Sequence, residues 1–135
     1  MKNRSELREI IMKVLYQVNI LSTGNMEYNV DELIKEQLEV ENEFVNTVVH
    51  GVLDNFLDIE IVANKYLVDW SLDRLNLVDQ ATLAIGIYEL RYTDTPSIVA
   101  INEAVELSKK YSDESVTKMI NGVLDNIYHS EDNNG

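Results

Sequence analysis

The residues best equipped for chemistry in this chain are its carboxylates and its two histidines. There are 24 Asp and Glu against 11 Lys and Arg, with His50, His129 and no cysteine. An acid-rich chain invites a carboxylate-held di-metal centre, which needs Glu-x-x-His pairs facing inward. Thr47 and Asn126 stand three residues before the two histidines, so the pattern fails at both and no metal is expected. Without cysteine there is no thiolate site, no disulfide framework and no cysteine nucleophile. No Gly-rich phosphate loop, no His-Glu-x-x-His and no Gly-x-Ser-x-Gly elbow is present. Acid pairs such as Asp69 with Asp73, or Glu103 with Glu106, are what any acidic helix supplies by chance. The chain is expected to bind rather than catalyse, and to need no cofactor.

Charge is the remaining chemistry, and it is unevenly spread. The net charge is −13 over 135 residues. Lys2, Arg4, Arg8 and Lys13 against Glu6 and Glu9 leave +2 over the first 17 residues, and so −15 over the other 118. Arg4 and Arg8 are spaced i, i+4, so they project from one side of a helix. They lie opposite or beside the apolar stripe and are expected to face solvent. Lys109, Lys110 and Lys118 add charge near the C-terminal helices. This patch suits phosphate, whose binding depends on Lys and Arg displacing counterions. The alternative is that these bases pair with the chain's own acids.

The elements that would position these groups read as helices. Five Gly and one Pro are too few turn residues for a sandwich or barrel. Leu7, Ile11, Val14, Leu15, Val18 and Leu21 follow helical spacing over 4–21, with Gly24 suited to a left-handed stop. The stretch 27–43 has seven acids and one Lys and predicts a short surface helix. From 41 to 67 a long stripe continues through Phe44, Val48, Val52 and Ile59. Gly51 and Asp58 within it predict a kink or two consecutive helices. Further helices are expected over 77–92 and 99–111, and a last one capped by Ser112 or Asp113. Residues 129–135 read as a flexible polar tail after one domain over 1–128. No run is long and apolar enough to span a membrane, and the N-terminus lacks the apolar core of a secretory signal. A cytoplasmic location is expected.

Several blocks together resemble one family. Arg8-Glu9 with Leu15-Tyr16-Gln17, Val78-Asp79 with Ile87-Tyr88-Glu89-Leu90, the run from Val99 to Tyr111, and Lys118-Met119-Ile120-Asn121-Gly122-Val123-Leu124-Asp125 are similar to the NusB family of transcription antitermination factors. They fall in the family's order across nearly the whole chain. The resemblance implies an all-α fold of about seven helices in two packed subdomains, without catalysis. It implies binding of boxA-type single-stranded RNA together with NusE, a small-subunit ribosomal protein. It also implies work with the transcription elongation complex, notably on ribosomal RNA operons.

Carried over residue by residue, Arg4 and Arg8 fall on RNA-contacting arginines, with Lys2, Lys13 and Lys118 beside them. Ser5 and Glu6 stand where many members have further Arg. Met119 stands where an aromatic is usual, and Tyr16 remains as either a base stacker or a half-packed core residue. Asp79 and Glu89 fall on acidic partner-binding positions, although Glu89 also suits a brace within the fold. Asn102, Glu103 and Asn121 read as packing and capping residues, and Gly86 and Gly122 as tight helix crossings. The thinned RNA face leaves an alternative: an acidic helical module that binds NusE and has lost strong RNA binding.

Overall fold

The computed structural model describes residues 1–131. They form seven α-helices: α1 (Arg4–Thr23), α2 (Val30–Gln37), α3 (Glu43–Asp54), α4 (Phe56–Tyr66), α5 (Leu77–Tyr92), α6 (Ser97–Tyr111) and α7 (Glu114–Glu131), with one 3-10 turn at Leu72–Arg74. Among the described residues there is no strand. Side chains set the helix starts. Asn3 and Glu6 form a capping box, the Glu6 amide reaching Asn3 Oδ1 at 2.9 Å and the Asn3 amide reaching Glu6 Oε1 at 3.1 Å. Asn29, Asn42 and Asp113 accept from the amides of Glu32, Val45 and Val116 in the same way.

Helix α5 is the axis of the molecule. Every residue from Asp79 to Glu89 is buried, and α1, α3, α4, α6 and α7 all pack against it. A helix buried all round has no amphipathic side to display. On one side α1, α2 and α3 pack on one another; on the other, α6 and α7 pair and α4 touches α7. This matches two helical groups sharing one core, which runs from Ile11 and Val45 through Leu83 and Ile87 to Ile120 and Leu124.

Several local expectations are refined. The long stripe splits at Asn55 rather than Asp58. Asn55 folds its side chain back to the Gly51 carbonyl at 2.8 Å, which ends α3 while α4 starts in the next residue. The left-handed residue after α1 is Asn25, at φ 55°, and not Gly24; Asn tolerates that conformation through its short polar side chain. Residues 129–131, expected in a polar tail, continue α7, and the rest of that expected tail, 132–135, lies outside the described residues. Arg91 pairs with Glu131 and, at 3.4 Å, with Asp58, which favours the extra turn.

The two glycines expected at tight helix crossings differ. A Cβ at Gly86 would come within 2.9 Å of Leu124 Cδ1 and 3.3 Å of Ala104 Cβ, so it does mark a tight crossing. At Gly122 a Cβ would meet no atom within 4 Å, so the expected crossing is absent there. Gly122→Ala should therefore stabilise the protein by about 1 kcal/mol, the difference in helix propensity, as an upward shift of the urea midpoint. A loss of stability would show that the backbone at Gly122 is needed for something other than the helix.

Candidate nucleic-acid interface

The basic residues of α1, α6 and α7 line three adjoining surface grooves. The first holds Lys2 and Arg4 with Lys35 and the 36–42 segment. The second, between α1 and α6, is lined by Asn3, Ser5, Glu9, Glu103, Lys109 and Lys110 among others. The third, between α6 and α7, carries Lys109, Lys118 and Asn121. Asn3 is shared by the first two grooves and Lys109 by the last two, so the three adjoin, and Glu36, Glu39 and Glu41, then Glu6, Glu9, Glu103 and Glu106, and finally Glu114 line them beside the cations.

Most of these cations are already engaged. The Arg4 guanidinium sits 3.9 Å above the centre of the Phe44 ring, a cation–π contact that leaves its edge exposed. Lys110 donates to Glu9 at 2.6 Å, and Lys13 lies 3.8 Å from the same carboxylate. Tyr111 donates its hydroxyl to Glu9 as well. The hydrogen bonds from Lys110 and Tyr111 hold the Glu9 carboxyl below its ordinary range. In return, the Glu9 hydrogen bond pushes the Tyr111 phenol up to about 12. Lys109 reaches Glu106 at 3.1 Å and Lys118 reaches Glu114 at 3.3 Å. Lys2 is exposed and has no ion-pair partner among the described residues.

Arg8 is the main correction. Its spacing from Arg4 points it to solvent, yet it is 4% exposed. Its Nε donates to Glu89 Oε2 at 2.8 Å and a terminal nitrogen donates to Oε1 at 2.9 Å. A second acid, Glu103, lies 3.8 Å away. Burial works against the guanidinium charge, but the hydrogen bonds and charge of Glu89, with Glu103 adding to them, hold its pKa above the ordinary value. A bidentate Arg–carboxylate pair is the geometry a buried charge requires. Arg8 therefore offers no free edge to a phosphate.

The acidic positions assigned to a protein partner are corrected for the same reason. Glu89 is 1% exposed and braces α5 against α1. Asp79 is 3% exposed and accepts from the Ser112 hydroxyl, joining the first turn of α5 to the end of α6. Neither side chain is displayed to a docking protein. Ser5 donates to Glu103 at 2.9 Å, tying α1 to α6, and Glu6 closes the capping box of α1. Met119 is half-buried and packs against the core. Tyr16 is 37% exposed and follows Glu9 and Lys13 along the one open strip of α1. Tyr111, which no sequence signal singled out, is 42% exposed and stands beside Lys110, where it adds an aromatic surface to the cations.

Among the described residues no group of three or more His, Asp or Glu is close enough to hold a metal ion. His50 instead meets Asp31 at 2.7 Å, tying α3 to α2. Among the same residues no helix is long and apolar enough to cross a membrane.

Known proteins are similar to this chain over nearly its whole length. The model of the NusB family matches residues 5–129. A transcription antitermination protein NusB from Campylobacter jejuni is 39% identical over 128 residues, covering 93% of this chain and 95% of its own length. The solved structure of T. maritima NusB superposes with a TM-score of 0.83 at 30% identity, covering 96% of this chain and 92% of the other. A crystal structure of the antitermination factors NusB and NusE in complex with double-stranded RNA contains a chain that superposes with a TM-score of 0.80. That chain is 29% identical, and the match covers 94% of this chain and 96% of it.

Proposed function

We propose that this chain, which belongs to the NusB family of transcription antitermination proteins, binds boxA-type single-stranded RNA jointly with NusE. The observation that carries the reading is the run of adjoining grooves from Lys2 to Lys118, which gathers seven of the chain's eleven Lys and Arg on a body of net charge −13. An acidic body repels RNA over most of its surface, so a strand is drawn to the grooves where the cations are gathered. The relative crystallised with NusE and double-stranded RNA supports NusE and RNA as the two partner classes for this chain. In the elongation complex, on ribosomal RNA operons, the pair would act as an adaptor.

The recognition is non-covalent and divides between charge and stacking. Lys2, Arg4, Lys13, Lys109, Lys110 and Lys118 supply phosphate contacts. Tyr16 and Tyr111 supply exposed aromatic faces, and a stacked base is worth about 1–3 kcal/mol. Few of the cations are free, so RNA binding by this chain alone is weak. NusE, a basic ribosomal protein, complements the acidic body. If both bind the same state, each raises the apparent affinity of the other by an equal factor.

A salt titration tests the grooves. Removing Lys2, Lys109 and Lys110 together as glutamines should flatten the dependence of RNA binding on salt by about 0.7 in log–log slope for each phosphate no longer neutralised. NusE binding should persist. A slope equal to that of the wild type would remove these lysines from the phosphate interface. The engagement of four lysines by the chain's own acids favours one further reading, a module that binds NusE without RNA. That reading predicts NusE capture with no boxA retention in the ternary mixture.

A further inference from the structure

We propose that Glu9 guards the α1–α6 groove from within, standing in for a phosphate and holding Lys110, Lys13 and Tyr111 until RNA displaces it. The inference rests on the RNA-binding reading above and names a control on that same site. Glu9 Oε2 accepts from Lys110 at 2.6 Å, Oε1 lies 3.8 Å from Lys13, and Tyr111 donates to Oε1. Two cations and a phenol from α1 and α6 thus converge on one carboxylate, as they would on a phosphate oxygen. The Glu9 side chain is 20% exposed and lines the α1–α6 groove, so an incoming strand can reach it.

The other acids of the groove are differently employed. Glu103 accepts from Ser5 and faces Arg8, and Glu106 holds only its helix neighbour Lys109. Glu9 alone clamps cations from two helices. A phosphate that takes Lys110 must break the clamp and then sit near the released carboxylate. Both costs lower affinity for any RNA that cannot offer several phosphates and stacked bases at once. The clamp therefore favours a strand presented in register, such as one held by NusE, over incidental RNA.

The test is filter binding of a boxA-type RNA oligonucleotide, with and without purified NusE, across a salt series. Glu9→Gln keeps the shape of the side chain and removes its charge. It should bind about two- to fivefold tighter, the worth of the exposed ion pairs that no longer compete. Its salt slope should steepen by about 0.7 for each further phosphate neutralised, and the advantage of adding NusE should shrink. Glu60→Gln makes the same change in net charge on α4, outside the groove, and should move affinity much less. Equal or weaker binding by Glu9→Gln, at an unchanged melting temperature, overturns the proposal. If that variant melts early, Lys13→Gln/Lys110→Gln decides: the clamped cations are phosphate ligands only if their removal weakens binding. If no form of the protein, wild type included, retains RNA in the presence of NusE, the RNA-binding reading itself fails.

Discussion

Replacing Glu89 with alanine should lower the free energy of unfolding by about 3–5 kcal/mol, the range for breaking one side of a buried ion pair. The loss follows from what is left behind. Arg8, at 4% exposure, would keep its charge with Glu103 at 3.8 Å and the Phe44 ring, its centre 5.3 Å away, to answer it. Thr95 would lose its 3.2 Å bond to Glu89 Oε1. Urea melts read the effect directly, and a cost below about 1 kcal/mol, the worth of an exposed pair, would show that water reaches the site. The double variant Arg8→Met/Glu89→Leu should recover most of the loss, because an apolar pair of similar volume removes both desolvation penalties. This bears on function. Arg8→Ala would weaken RNA binding by loosening α1 against α5, so a loss of binding in that variant says nothing of a phosphate contact.

The Arg8–Glu89 pair also marks the boundary of what the sequence discloses. Helical periodicity places α1, α5, α6 and α7 close to their observed spans, because each carries an apolar stripe or an unbroken apolar run. The uneven charge is legible too, since it needs only counting. The direction in which Arg8 points needs more. On an amphipathic helix with one packed side, a residue beside the stripe faces solvent. Helix α1 instead packs against α2, α3, α5 and α6. Leu7, Ile10, Ile11, Met12, Val14, Leu15 and Val18 are all buried, and between residues 6 and 20 the exposed positions are Glu6, Lys13, Tyr16 and Ile20. Arg8 falls inside the packed arc, and its partner lies 81 residues away. Asp79 is hidden by similar long-range packing, since Ser112 comes from the far end of another helix. Partners at such separations leave no periodic trace. Matching a family position by residue type cannot tell a displayed carboxylate from a bracing one.

Gly51→Ala should destabilise the protein by about 2 kcal/mol, against the usual direction of that substitution in a helix. An alanine gains about 1 kcal/mol over glycine in propensity, and at Gly122 nothing opposes it. At Gly51 a Cβ would overlap the Tyr88 phenol, meeting Oη, Cζ and Cε1 well inside van der Waals contact. The ring cannot swing away cheaply. It is 6% exposed and stacks on Tyr92 with centroids 5.4 Å apart. Overpacking of this kind costs about 1–3 kcal/mol, and a rigid ring held on both sides belongs at the upper end. Tyr88→Phe should give little rescue, because it removes Oη and leaves Cζ in place. Tyr88→Leu clears the overlap, and in that background Gly51→Ala should become neutral or stabilising. The difference between the two backgrounds in a double-mutant cycle measures the contact itself. Equal costs in both would move the cause away from the ring and onto the Asn55 turn, whose side chain bonds the Gly51 carbonyl.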